Sequence, residues 1–230
     1  MKTLKFVYHF IIEADTKHSE EDLKNKILEL FRLFFLNFFL VIIIMVPVGI
    51  LRLKFNLHPQ GVDLPLFTYI VINIIIIPII EESAFRLTLI YNKIFLSIST
   101  MIISFIFISY LITGELISPA NLYLRLLYSI AIAVILYLFI KVVPKIDSFF
   151  SSFWVNHQRL ILYFFVFLFV AMHIKEYTFP LQQLPVVLLI LTPKLVTGLF
   201  LSYTRMRLGF TYSILLHIII NIVATGLIFV

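Results

Sequence analysis

Long apolar runs separated by short polar breaks dominate the chain. Seven runs, at about 29–51, 66–90, 94–113, 121–143, 160–178, 183–203 and 211–230, approach or exceed the roughly 20 residues a helix needs to cross about 30 Å of hydrocarbon. Each run is continuously apolar and lacks the period-two alternation of a membrane barrel, so helices are predicted. Pro47, Pro78 and Pro193 fall inside these runs, where neighbouring helices can satisfy the carbonyls a proline leaves free. The pattern predicts an all-α polytopic membrane protein. It has a bundle of about seven transmembrane helices over 29–230 and a short N-terminal surface helix within a cytosolic segment, 1–28.

That segment reads differently from the rest. FVYHFII at 6–12 is too short to span and runs into EADTKHSEED. Without a small-residue cleavage site after it, no signal peptide is expected. SEEDLKNKILELF at 19–31 has Ser19 as a cap, acids in the first turn, and Leu23, Ile27, Leu28 and Phe31 on one side of a helix. This helix is expected to lie along the membrane surface or to run into the first span.

Composition agrees with a bilayer solvent. Apolar residues make up 62% and charged residues 13% of the chain, against roughly a quarter charged in soluble domains. Mean hydropathy is +1.09. With the N-terminus cytosolic, Arg52, Lys54, Arg125 and Lys175 face outside and Lys194 lies within a span. The other thirteen of the 18 basic residues then face the cytosol. This bias predicts a multi-pass cell-membrane protein with its N-terminus inside and its C-terminus outside, and it accounts for the net charge of +6 without a nucleic-acid partner. With no cysteine, disulfides, thiolate metal sites and a cysteine nucleophile are excluded.

Ionisable groups at bilayer depth are costly and mark function. Glu81, Glu82, Arg86, His173, Lys194 and His217 are such groups, with Asn73 and Asn221 polar beside them. Glu82 and Arg86 are i,i+4 in the order that favours an ion pair. Glu81 is turned about 100° from Glu82 and is left to face another helix or water. Phe169 and His173 are i,i+4, as are His217 and Asn221. At 1.5 Å per residue, Glu81 lies about 13 Å from the cytosolic end of its span, His217 about 9 Å, Asn221 about 15 Å and His173 about 20 Å, so one cavity could hold all four. Structural readings compete with this one. An intramembrane Glu–Arg pair can be interhelical glue, and a lone His can be a hydrogen-bond donor. Lys194, next to Pro193, reads as snorkelling or as paired with a carbonyl. His9, His18, His58 and His157 fall in predicted loops or surface segments.

EESAFR (81–86), FVAMH (169–173) and HIIIN (217–221) resemble the EExxxR, FxxxH and HxxxN motifs of the CPBP family, the CAAX prenyl endopeptidases and bacteriocin-processing or immunity proteins also called Abi. All three occur in the family's order on separate predicted helices. The stretch from Gly198 through LFLSYTRMRLGFTYSILLHIIIN resembles the family's last two helices, including the Arg-containing turn before a glycine. The resemblance covers roughly 66–92 and 160–225. It departs at 94–143, where two extra spans separate motif helices that commonly follow one another.

The resemblance implies an intramembrane glutamate-dependent endopeptidase acting on a membrane-associated peptide or protein in the lipid bilayer. Glu81 and His173 would activate a water, and Asn221 with His217 would stabilise the oxyanion. Glu82, Arg86 and Phe169 would support the site. No cofactor is implied. A zinc-dependent variant built on His173, His217 and a glutamate is the mechanistic alternative, although no HExxH occurs. A non-catalytic immunity or maturation scaffold is the functional alternative. Transport is more distant, since the pseudo-repeats of a transporter are absent.

Overall fold

The computed structural model describes residues 2–13, 22–57, 65–114 and 120–228. Among these there is no strand, and nearly every residue is helical. Helix α1 (Lys2–Glu13) is followed by α2 (Leu23–Phe55), α3 (Leu66–Val71), a π-helical turn (Ile72–Ile76) and α4 (Ile77–Phe85). Then come α5 (Lys93–Thr113), α6 (Leu122–Val142), α7 (Pro144–Asn156) and α8 (Gln158–Met172). The last three helices are α9 (Leu184–Ile190), α10 (Thr192–Arg207) and α11 (Phe210–Ile228).

Five helical stretches are long and apolar enough to cross a membrane: Leu23–Phe55, Leu66–Leu89, Lys93–Thr113, Leu122–Val142 and Gln158–Glu176. These match the first five predicted spans, the first of them starting six residues earlier than predicted and the others agreeing to within two. The expected span at 183–203 is instead two helices, Leu181–Ile190 and Thr192–Arg207, bent by 47°, which together make a sixth. The break has a local cause. Pro193 at the start of α10 lacks an N–H and disfavours helical geometry in the residue before it. The apolar stretch in α11, Phe210–Gly226, is shorter than a full span.

The helix expected over 19–31 begins at Leu23 and continues into the first span. Its cap is not Ser19, which lies outside the described residues, but Asp22, whose carboxylate accepts from the Asn25 N–H at 3.1 Å. Leu23, Ile27, Leu28 and Phe31 share the outward side, while Glu29, Leu30, Leu33 and Asn37 face the bundle. Glu29 is matched there, accepting from Arg207 Nε at 2.8 Å and from the Tyr203 hydroxyl at 3.2 Å. Helix α1 docks at the same end. Phe10 meets Tyr203 edge-on at 5.3 Å, and the Tyr163 hydroxyl donates to the Ile11 carbonyl.

Helices α5 and α6 form a hairpin that packs on α4. Arg125, expected outside the membrane on the non-cytosolic side, is instead fully buried in this hairpin. Its Nη1 donates to the Ser109 hydroxyl at 2.7 Å and its guanidinium lies 5.4 Å from the centre of the Phe105 ring. A charge just inside a span is cheaper buried against a polar partner than facing lipid.

Beyond α6, α7 carries a polar tether to the α4–α5 connection. The Asp147 carboxylate accepts from the Tyr91 hydroxyl at 2.7 Å and from Lys93 Nζ at 3.1 Å. The Tyr91 hydrogen bond, and after it that of Lys93, hold the Asp147 carboxyl below its ordinary value, while burial and then Asp147 push the Tyr91 phenol up. With the folded value depressed, the tether is complete at pH values above about 4 and is lost as the pH falls through that lower value. Trp154, the single tryptophan, lies 5.5 Å from the Tyr91 ring and reports on it. Acidification is expected to shift Trp154 fluorescence, and Asp147→Asn is expected to give the acid spectrum at neutral pH. A spectrum indifferent to both would remove the tether.

Candidate functional site

Four helices bring the motif residues together: α4 carries Glu81 and Glu82, α8 ends at His173, α11 carries His217 and Asn221, and α10 packs between α8 and α11. Glu82 is the buried anchor. Its Oε1 lies 2.9 Å from His217 Nδ1 and 3.5 Å from Arg86 Nη1, and Ser213 donates to its Oε2. Arg86 is fully buried, and its three nitrogens make no hydrogen bond among the described residues. The Glu82 charge and the face of Phe169, 4.0 Å from the guanidinium to the ring centre, hold it instead. The phenylalanine of one motif thus seats the arginine of another.

Gly198 makes room for that stack. A Cβ there would lie 3.3 Å from both Arg86 Nη2 and Phe169 Cδ1. Gly198→Val is expected to cost about 1–3 kcal/mol by overpacking, read as a lower melting temperature in detergent. An unchanged melt would mean that the stack can shift.

Both imidazoles present the same nitrogen to Glu81. His173 Nδ1 lies 2.7 Å from the Phe169 carbonyl, which can only accept, so this nitrogen carries the hydrogen. His217 Nδ1 likewise donates to Glu82. In the neutral rings, both Nε2 atoms therefore carry lone pairs. They face the Glu81 carboxylate, His173 Nε2 at 3.8 Å from Oε1 and His217 Nε2 at 3.5 Å from Oε2. These gaps are too long for direct hydrogen bonds and suit a bridging water. Glu82 thus lies against Arg86, and Glu81 faces the imidazoles of two other helices.

Asn221 has a local duty that the sequence did not reveal. In the π-turn the Ile77 N–H reaches back to the Ile72 carbonyl. By the same i→i+5 register the Asn73 carbonyl would accept from residue 78, which is proline and has no N–H. Asn221 Nδ2 supplies the donor at 2.8 Å. One of its two amide hydrogens is thereby committed.

Sequence reasoning missed Ser213 and Glu176 around this cluster and placed Lys194 and Arg205 differently. Ser213 is one turn before His217, a spacing that could have revealed it. Glu176, three residues after His173, lies 3.7 Å from His173 Nε2. Lys194, expected to snorkel or to pair with a carbonyl, is half exposed and lies 3.9 Å from the Glu176 carboxylate. Arg205, expected in a cytosolic turn, is buried and donates to the Arg86 and Leu87 carbonyls, both at 3.1 Å. His157 is exposed, as expected, and His18 and His58 lie outside the described residues. The zinc alternative needs three donors about 2.0–2.2 Å from one point. Among the described residues no group of three or more His, Asp or Glu is arranged to hold a metal ion.

Compared with protein-family models, curated proteins and solved structures, the chain matches none of them.

Proposed function

We propose that the chain is an intramembrane endopeptidase of the CPBP type, in which Glu81 activates a water to cleave a peptide bond of a membrane-associated peptide or protein. The observation that carries this reading is the convergence of two Nε2 lone pairs, from His173 and His217 on separate helices, on one carboxylate. A water between them can donate one O–H to Glu81 and the other to an imidazole. Glu81 takes the proton as the oxygen attacks the scissile carbonyl and returns it to the departing amine. The second N–H of the Asn221 amide is the donor for the oxyanion, where one donor is worth about 3 kcal/mol. His217 joins it only when its ring carries both hydrogens. Glu82 with Arg86 and Phe169 fixes the His217 tautomer and the helix positions. No step of it calls on a metal.

In the cell the bundle sits in the membrane with α2 entering from the cytosol. Counting the bent pair as one span and α11 as another gives seven, with the C-terminal end of α11 on the non-cytosolic face.

Mass spectrometry of membranes with and without the protein tests the activity. A peptide whose length changes only when the protein is present is expected, and its absence across the membrane proteome would favour the non-catalytic scaffold. Once a substrate is identified, purified protein is expected to keep cleaving it in a chelator. Activity lost to the chelator and restored by Zn²⁺ would overturn the metal-free mechanism.

A further inference from the structure

The two ends of the bundle treat the site differently. Toward the end where α2 begins, the site is sealed. Arg86, Leu87, Thr88 and Leu89 are all buried. Arg205 caps the carbonyls of Arg86 and Leu87, and Trp154 Nε1 donates to that of Thr88 at 2.7 Å. The carbonyls of Arg86, Leu87 and Thr88 are thereby occupied and do not offer themselves to a second chain.

Toward the opposite end a file of charged and polar groups leads outward. Glu81 is 16% exposed and faces His173; Glu176 lies 3.7 Å from His173 and is 43% exposed; Lys194 lies 3.9 Å from Glu176 and is 44% exposed. The segment bearing Glu176 is held in place on both sides of it. Lys175 Nζ lies 3.8 Å from the centre of the Tyr110 ring at the end of α5, and Arg52 at the end of α2 donates to the Tyr177 hydroxyl.

We propose that Glu176 and Lys194 form the mouth of the site and that this mouth opens at the bundle end away from the lysine- and arginine-rich one, which the charge bias makes the non-cytosolic face. The substrate is then a polypeptide segment displayed on that face, either an exported peptide or an outer loop of a membrane protein. A lipid-modified chain end held in the cytosol does not reach it. What enters rests on the peptidase reading; the direction of entry rests on the geometry and the charge bias.

The absence of cysteine gives a clean test in the full chain. Glu176→Cys, Lys194→Cys and Ser151→Cys, the last in α7 at the sealed end, are made singly and exposed to a charged, membrane-impermeant maleimide in intact cells. Glu176→Cys and Lys194→Cys are expected to be labelled to completion before permeabilisation, and Ser151→Cys only after it. If Glu176→Cys fails to accumulate, Lys194→Cys gives the same reading, and Gln182→Cys, exposed in the following turn, gives a third. Protection of the mouth positions until permeabilisation, or no labelling of them at all, overturns the proposal. Labelling needs no turnover. An outward mouth on a protein that cleaves nothing would therefore sink the peptidase reading alone, and cleavage with an inward mouth would sink this one alone.

Discussion

Glu81→Gln is expected to abolish cleavage while the protein keeps its fold. The substitution preserves size and polarity but removes the base, and the loss of a general base is typically a 10²–10⁴-fold effect on rate, roughly. Little structural cost is expected, because the contacts nearest to Glu81 are the two imidazoles and Arg86 keeps Glu82. Rate is measured on the substrate peptide and stability by melting in detergent. Substantial turnover in Glu81→Gln, with Glu82→Gln inactive at normal stability, would reverse the roles of the two acids.

Glu82→Gln is expected to fail in the other way. It strands Arg86, a fully buried cation, and removing one partner of a buried pair costs about 3–5 kcal/mol. It also weakens the acceptor that fixes His217 through Nδ1 and the partner of the Ser213 hydroxyl, so the fraction that folds should be slow as well. Arg86→Gln should show a similar loss of melting temperature. It leaves the Glu82 carboxylate buried but still bonded to His217 and Ser213. The double change Glu82→Gln with Arg86→Gln should recover part of the loss, because residues in contact are not additive. Strict additivity in this cycle would mean that the 3.5 Å contact carries no coupling.

The periodicity and depth of the apolar runs located the first five long helices and the faces of the two acids, because both follow from helix geometry and the thickness of hydrocarbon. The bend at Leu191 was not legible, although Pro193 marked it. A continuously apolar run has the same pattern straight or bent, and a proline inside a span is compatible with either. Arg125 was misplaced because a basic residue near the end of a span looks the same whether it reaches water or turns inward to Ser109. Asn221 could be assigned to the site from its place in HIIIN, but its bond to the Asn73 carbonyl depends on a π-turn that residue spacing does not encode. Glu176 escaped notice because it falls in the last turn of its predicted span, where an acid ordinarily means only solvent.

The Asn221–Asn73 bond joins residues 148 positions apart. During synthesis α3 and α4 enter the membrane long before α11 leaves the ribosome. Until then the carbonyl left open by Pro78 has no donor from α11, Glu82 lacks both His217 and Ser213, and Glu81 faces a single imidazole. The last described helix is therefore also the last ingredient of the chemistry. On the proposed peptidase reading a half-made chain holds no assembled site, so the peptides around it in the insertion machinery would not meet a working one.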